Sequence, residues 1–316
     1  MTTFAPTPVE VHTEAPHVEP PVKTKLVKWH GERADATSYI FLLPAVILFT
    51  LFITLPALIG MIYSVTDYVG FGDSKFIGLA NFQALFSDPR ILSAYAFTIG
   101  FSLISVVLVN IIALALAIGL NSKIAWKSGL RGIFFIPMVI SGIVIAYVFN
   151  FLFSNSLPTL ATSLNIPFLQ SSILANENLA WIAIVIVTVW QSVPGMMIVY
   201  LAGLLSIPGE VYEAGSLDGA TKWRSFTSIT LPLMVGYVVI NTVLGFKNFL
   251  NAYDIIVGLT NGGPGTSTFS VAMTIFTGFT SGDYAYQMAN AVVFFIVTVV
   301  VSLLQLRLIK GREMSL

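Results

Sequence analysis

"EAGSLDGATKWRSFTSITLPL", Glu213 to Leu233, is the stretch on which the reading of the fold turns. Its first half carries Glu213, Asp218, Lys222 and Arg224, yet it stands between two long apolar runs in a chain that is 56% hydrophobic and only 9% charged. Soluble domains carry about a quarter charged residues. A chain with 24 Phe and a mean hydropathy of +0.87 cannot hide its apolar surface in one core, so lipid must act as part of its solvent. The polar island therefore has to be placed relative to a membrane before it can be interpreted.

Six apolar runs are each long enough to cross a bilayer, which takes roughly 20 apolar residues. They cover 39–66, 94–121, 132–154, 179–205, 231–256 and 285–309, with Pro44, Pro56, Pro137 and Pro194 expected to kink the helices that hold them. The expected fold class is all-α, with six transmembrane helices. With the N-terminus inside, Lys23, Lys25, Lys28, Arg33, Lys123, Lys127, Arg131, Lys222, Arg224, Arg307, Lys310 and Arg312 fall on the cytoplasmic side. Only Lys75 and Arg90 fall outside, and Lys247 stays within a span. This positive-inside bias predicts cytoplasmic termini and puts the island, between the fourth and fifth spans, in the cytoplasm.

The ends are of other material. Residues 1–38, with "APTPVEVHTEAPHVEPPVKTK", are rich in Pro, Glu and Thr without helical or strand period, and are expected to form a disordered cytoplasmic tail. The charged part and the apolar run after it are both too long for a cleavable signal peptide, so the first span is expected to stay as an anchor. Residues 311–316 form a short C-terminal tail.

Composition also excludes chemistry. The chain has no cysteine, and its three histidines, His12, His17 and His30, all lie in the N-terminal tail. Disulfides, thiol catalysis, thiolate metal sites and an intramembrane histidine relay are thereby ruled out. No catalytic cluster is evident, and no metal site is expected. A GxxxxGK[ST] phosphate loop is absent, so the chain is not itself an ATPase. Nothing in it points to nucleic acid.

Within the island, Pro208, Glu210 and Glu213 favour a helix start. Residues 208–217 read as a short helix with Val211, Tyr212, Ala214 and Leu217 as apolar contacts, and Asp218-Gly219 reads as a turn. "ATKWRSFTSI" reads as a second short helix exposing Trp223 and Phe226. The plain reading is a basic connector that fixes topology. The length, the helix signals and the aromatics beside charges point instead to a knob that meets a partner.

The spacing Glu213-Ala214-Gly215, three residues, Gly219, nine residues, Ile229, one residue, Leu231-Pro232 resembles the signature loop of binding-protein-dependent ABC importer permeases. That family pattern is Glu-Ala-Ala, then Gly, Ile and Leu-Pro at the same intervals, and Gly215 in place of the second alanine is the one departure. "FIGLANFQALFSD", "WQSVPGMMIVYLAGLLSIPGEVYEAGSLDGA" and "YDIIVGLTNGGPGTST" resemble the carbohydrate-uptake branch, of maltose, multiple-sugar or glycerol-phosphate type. The resemblance runs from about residue 40 to residue 310 and implies the type I importer permease fold.

It also implies a set of roles. Residues 208–232 would be the coupling loop, seated in a cleft of an ATP-hydrolysing subunit. Glu213 would meet a basic group of that subunit, Ala214 and Gly215 would allow close approach, Asp218-Gly219 would turn the corner, and Leu231-Pro232, after Ile229, would close the loop. The partners would be a second homologous permease, two ATP-binding subunits and an extracytoplasmic solute-binding protein. No cofactor would sit on this chain, ATP and Mg belonging to the ATPase. The location would be a bacterial or archaeal cytoplasmic membrane, multi-pass, among membrane lipid.

For the substrate pathway, the fifth run holds Asn241, Lys247, Asn248, Asn251 and Asp254, and an ionisable group in a span is a functional hypothesis by default. Lys247, Asn251 and Asp254 are expected on one helix face at i, i+4 and i+7. Asn150, Trp190 and Gln191 are further candidates, with Tyr147, Tyr200 and Tyr253 as possible stacking faces. The competing reading is interhelical hydrogen bonding by the amides and core or lipid contact by the aromatics. Amides and aromatics without a charged cage fit a neutral polyhydroxyl solute better than an ion. Asn261, Gly262, Gly263 and Pro264 form an outer turn, either a binding-protein contact and gate or a plain connector. Uptake of glycerol phosphate or another polar solute, such as a modified sugar, on the same scaffold is the alternative. A secondary transporter would call for inverted repeats, which are not evident, and would leave the knob unexplained.

Overall fold

A computed structural model describes residues 36–122 and 125–313. The expected tail lies almost wholly outside the described residues, as do Lys123 and residues 314–316. Among the described residues the chain is helical, with one isolated bridge between Thr66 and Phe76.

The chain divides at Thr54 into two units. Of the first, α1 (Ala36–Phe49) and a π turn (Thr50–Thr54) are described, and no side chain of residues 39–54 is buried. The second begins with α2 (Leu55–Tyr63), α3 (Ala80–Ser87) and α4 (Pro89–Asn121). Then come α5 (Lys127–Val139), α6 (Gly142–Phe151), α7 (Leu157–Ser163) and α8 (Ala180–Ser206). Helices α9 (Gly209–Leu217), α10 (Lys222–Ser225) and α11 (Leu231–Leu233) precede α12 (Val235–Leu250). The last three are α13 (Asp254–Thr260), α14 (Val271–Thr280) and α15 (Tyr284–Glu313).

Among the described residues, five helical stretches are long and apolar enough to cross a membrane: Tyr39–Tyr63, Pro89–Asn121, Gly142–Ser163, Ala180–Ser206 and Tyr284–Arg307. A sixth is the pair Lys222–Leu233 and Val235–Leu250, bent by 62°. Two expected runs therefore differ from single helices. The run 132–154 is divided between α5 and α6, broken at Ile140 and Ser141, which are extended just past Pro137. The run 231–256 loses its first residues to the bent preceding helix and ends at Leu250. Pro232 has no N–H to give the helix ladder, and a π turn (Phe226–Thr230) precedes it, both recognised causes of sharp bends. Helix α15 also runs to Glu313, through the first half of the expected C-terminal tail.

The core forms where α4 lies against α8. Along α4, Phe101, Val109, Ala113 and Ala117 repeat at multiples of four residues and are buried. They meet Ile184, Val187, Met197, Tyr200 and Leu204 of α8 in one cluster. The two alanines are fully buried, and small side chains let membrane helices approach closely where no hydrophobic force drives them together. Helix α12 closes onto the pair at Gly245, where an added Cβ would lie 2.3 Å from Met196 Cε.

The candidate coupling knob and polar helix face

The knob forms where the sequence places it. Pro208 caps α9, Glu210 sits in the first turn, and Gly219 turns the corner with a φ of +74°. Thr221 then caps α10, its hydroxyl accepting from the Arg224 N–H at 3.3 Å. Two contacts fasten α9 to the π turn: the Tyr212 and Thr230 hydroxyls are 3.0 Å apart, and Ile229 Cδ1 fills the space a Cβ on Gly215 would occupy. Glu213, Ala214, Asp218 and Gly219 are exposed, as are Leu217 at 89% and Trp223 at 73%, and Leu231 and Pro232 follow at the bend. Phe226 departs from expectation. It is half-buried, 5.7 Å from the Trp223 ring, and lines a cavity of about 390 Å³ with Tyr212, Lys222, Asn121 and Ile118. The cavity lies between the knob and the last turn of α4.

The polar residues of the fifth run separate by face. Asn241, Gly245 and Phe249 are buried, and Asn241 Nδ2 donates to the Met196 carbonyl at 3.0 Å. Ile240, Leu244, Lys247, Asn248 and Asn251 lie on the other side and are exposed. Asn251 caps the helix, donating from Nδ2 to the Lys247 carbonyl at 2.9 Å. Asp254 does not share this face, contrary to the expectation from its spacing. The helix stops at Leu250, and Asp254 opens α13, where a carboxylate suits the helix start.

The other candidates fall into place around α13. Asn150 Nδ2 donates to the Leu259 carbonyl at 2.6 Å, and Gly258 lies against Ala146, so α13 is pinned onto α6. Gln191 Nε2 donates to the Ile140 carbonyl at 3.1 Å, holding α8 to the break between α5 and α6. Trp190 is part-exposed and lies 5.3 Å from the Phe149 ring. Tyr200 is fully buried and donates to Asn110 Oδ1, and Tyr253 packs on Phe276, while Tyr147 is exposed.

At the end of the molecule away from the knob, Asn261 is left-handed, Gly262 is buried with a φ of +84°, and the Gly263–Pro264 peptide is cis. The Thr260 and Thr268 hydroxyls, 2.8 Å apart, close the turn. Nearby, Asp88 caps α4 and accepts from the Arg90 guanidinium at 3.1 Å and from the Tyr286 hydroxyl at 3.3 Å. The Arg90 hydrogen bonds hold the Asp88 carboxyl below its ordinary range. No sequence signal singles out the pairing of Asp88 with Tyr286, because the two are 198 residues apart. Asn110 escapes sequence reading likewise: it looks like one more amide in an apolar run. Among the described residues no cluster suits a metal.

An all-helical membrane chain with a knob at one end and a polar stripe on one span has the form of a transporter's membrane subunit. A family model described as "Binding-protein-dependent transport system inner membrane component" matches residues 110–312, and the chain belongs to that family. It is similar to the multiple sugar-binding transport system permease protein MsmF of Streptococcus mutans, 35% identical over 86% of this chain and 95% of that one. It is also similar to the probable starch degradation products transport system permease protein AmyD of Thermoanaerobacterium thermosulfurigenes, at 30% identity over 88% and 95%. Among solved structures, a bacterial ABC transporter involved in import of the acidic polysaccharide alginate superposes with a TM-score of 0.76 at 22% identity, covering 90% of this chain and 98% of that one. The fold is the type I importer permease fold, and the chain is a multi-pass, non-catalytic permease subunit of an ABC importer.

Proposed function

We propose that this permease carries a sugar or oligosaccharide, delivered by an extracytoplasmic binding protein, along the exposed face of α12. The observation that carries the reading is the exposed stripe of Lys247 and Asn248 in the last turn of a membrane-spanning element, with Asn251 at its cap. A lysine facing lipid costs about 2.5–3.5 kcal/mol at the bilayer centre and less toward its edges, and Lys247 lies in the last turn of α12. Three polar residues in one stripe therefore favour an aqueous lumen shared with a second permease. Amide donors and acceptors there suit hydroxyl groups, in keeping with the sugar-related names of its relatives.

The other parts follow from the same reading. The knob faces the cytoplasm, as the basic residues argue, and receives the closure of two ATP-binding subunits through Glu213 and the exposed Leu217 and Trp223. The outer turn at Asn261–Pro264 is the contact for the binding protein. Both termini are cytoplasmic, and ATP and Mg stay on the ATPase.

Because the chain has no native cysteine, single cysteines report directly on the stripe. Asn248→Cys is expected to react with a membrane-impermeant thiol reagent at least tenfold faster than Phe295→Cys, an exposed apolar position on α15. Equal rates would place the stripe in lipid and end this reading.

A further inference from the structure

Helices α4, α5 and α8 enclose an apolar groove of about 640 Å³. Its floor is buried and made by Val185, Val189, Val193 and Pro137, while its rim is open, with Ile133 at 63% and Leu108 at 37% exposure. It is cut into two of the membrane-crossing helices, so what fills it must be apolar and reach it through the bilayer.

One end of the groove is marked by charge. Phe134 lines it, and Arg131 lies one turn earlier on that face of α5, about 4.5 Å along the axis. Arg131 is half-buried, with its Nε enclosed and without a hydrogen-bond partner among the described residues. A buried donor without an acceptor is costly, and guanidinium matches phosphate geometry closely. The neighbouring Lys127 ammonium reaches the Asn121 carbonyl at 3.3 Å, tying α5 to the end of α4. Just before it, Trp126 is 87% exposed, the setting of an indole at the membrane interface. An apolar trough between membrane-crossing helices thus lies one helical turn from a cation whose Nε is unmatched, beside an exposed tryptophan.

We propose that this groove is a specific site for an anionic phospholipid, with an acyl chain along Leu108, Ile133 and Val193 and the phosphate on Arg131. The phosphate meets the open side of the half-buried Arg131 guanidinium, and α5, which leads into the break at Ile140, is steadied by it. The site lies on a different part of the chain from the α12 stripe and does not depend on what the transporter carries.

The test uses the full chain in mild detergent, with phosphatidylglycerol and phosphatidylcholine offered together and retained lipid counted by native mass spectrometry. The wild-type chain is expected to retain phosphatidylglycerol preferentially. Arg131→Gln is expected to lower that retention roughly fivefold, the weight of one basic residue near an anionic surface, and Arg131→Lys to restore much of it. A photo-crosslinker replacing Ile133, with Arg131 intact, is expected to give a phospholipid adduct. Retention unchanged by Arg131→Gln, no headgroup preference, or an adduct only to another protein helix would each overturn the proposal.

Discussion

Single residues at the knob show how the sequence sets its shape. A methyl group added to Gly219 would meet no atom within 4 Å, so crowding is not what requires glycine there. Its φ of +74° is, since an L side chain in that region costs about 1–2 kcal/mol. Gly215 is the opposite case. It is helical, but Ile229 Cδ1 would lie 2.7 Å from its Cβ. The family pattern sets an isoleucine at this same interval beside its alanine, and the contact is with the flexible end of Ile229, which can turn aside. Gly219→Val and Glu213→Ala are expected to leave the chain in the membrane at normal abundance while solute uptake falls at least tenfold. Gly215→Ala is expected to keep at least half of the uptake. Uptake assays beside immunoblots of membranes check both, and normal uptake by the first two variants would remove the coupling role.

Among elements, α13 is the most informative. It is held to α6 by Asn150 on the Leu259 carbonyl and by Gly258 against Ala146 Cβ, which is fixed to the backbone and cannot turn aside. Asn150→Leu leaves that carbonyl without its donor, and side-chain hydrogen bonds in membranes are worth about 0.6 to 1.7 kcal/mol. Gly258→Val adds overpacking of about 1–3 kcal/mol. Thermal unfolding in detergent, followed by tryptophan fluorescence, is expected to show both variants melting below wild type, Gly258→Val lowest. Gly100→Ala, with nothing within 4 Å of the new methyl, is expected to melt like wild type. The same region marks the limit of what the sequence reveals. The knob is legible because its turn, caps and motif spacing are local. The breaks at Ser141 and Met234 are not, because hydropathy runs on through them and apolar residues can line a bend as well as a helix, and at Asn251 the polar residues read equally as a functional stripe within one continuous span. Helical spacing therefore puts Asp254 on the wrong face. Asn150 reads as a pathway residue, yet its amide is engaged by a carbonyl 109 residues away, which no local pattern encodes.

At the scale of the whole molecule, the chain has a knob at one end and a polar stripe on α12, and on the proposed reading the knob faces the cytoplasm and a separate ATPase. In this account energy enters at one end and solute at the other, and α8 to α12 connect them: the knob leads across the 62° bend directly into the helix that carries the stripe. Closure at the knob then moves α12 as a rigid element, with Asn241 on the Met196 carbonyl keeping it in register with α8. The central claim is that uptake is driven through this chain by a separate ATPase. The most direct measurement is uptake, into proteoliposomes holding the complex purified through this chain, of the radiolabelled sugar that its binding protein retains. The account predicts uptake only with ATP on the ATPase side and loaded binding protein on the other, unaffected by collapsing proton and sodium gradients. Uptake that persists without ATP and stops when those gradients are collapsed would contradict it.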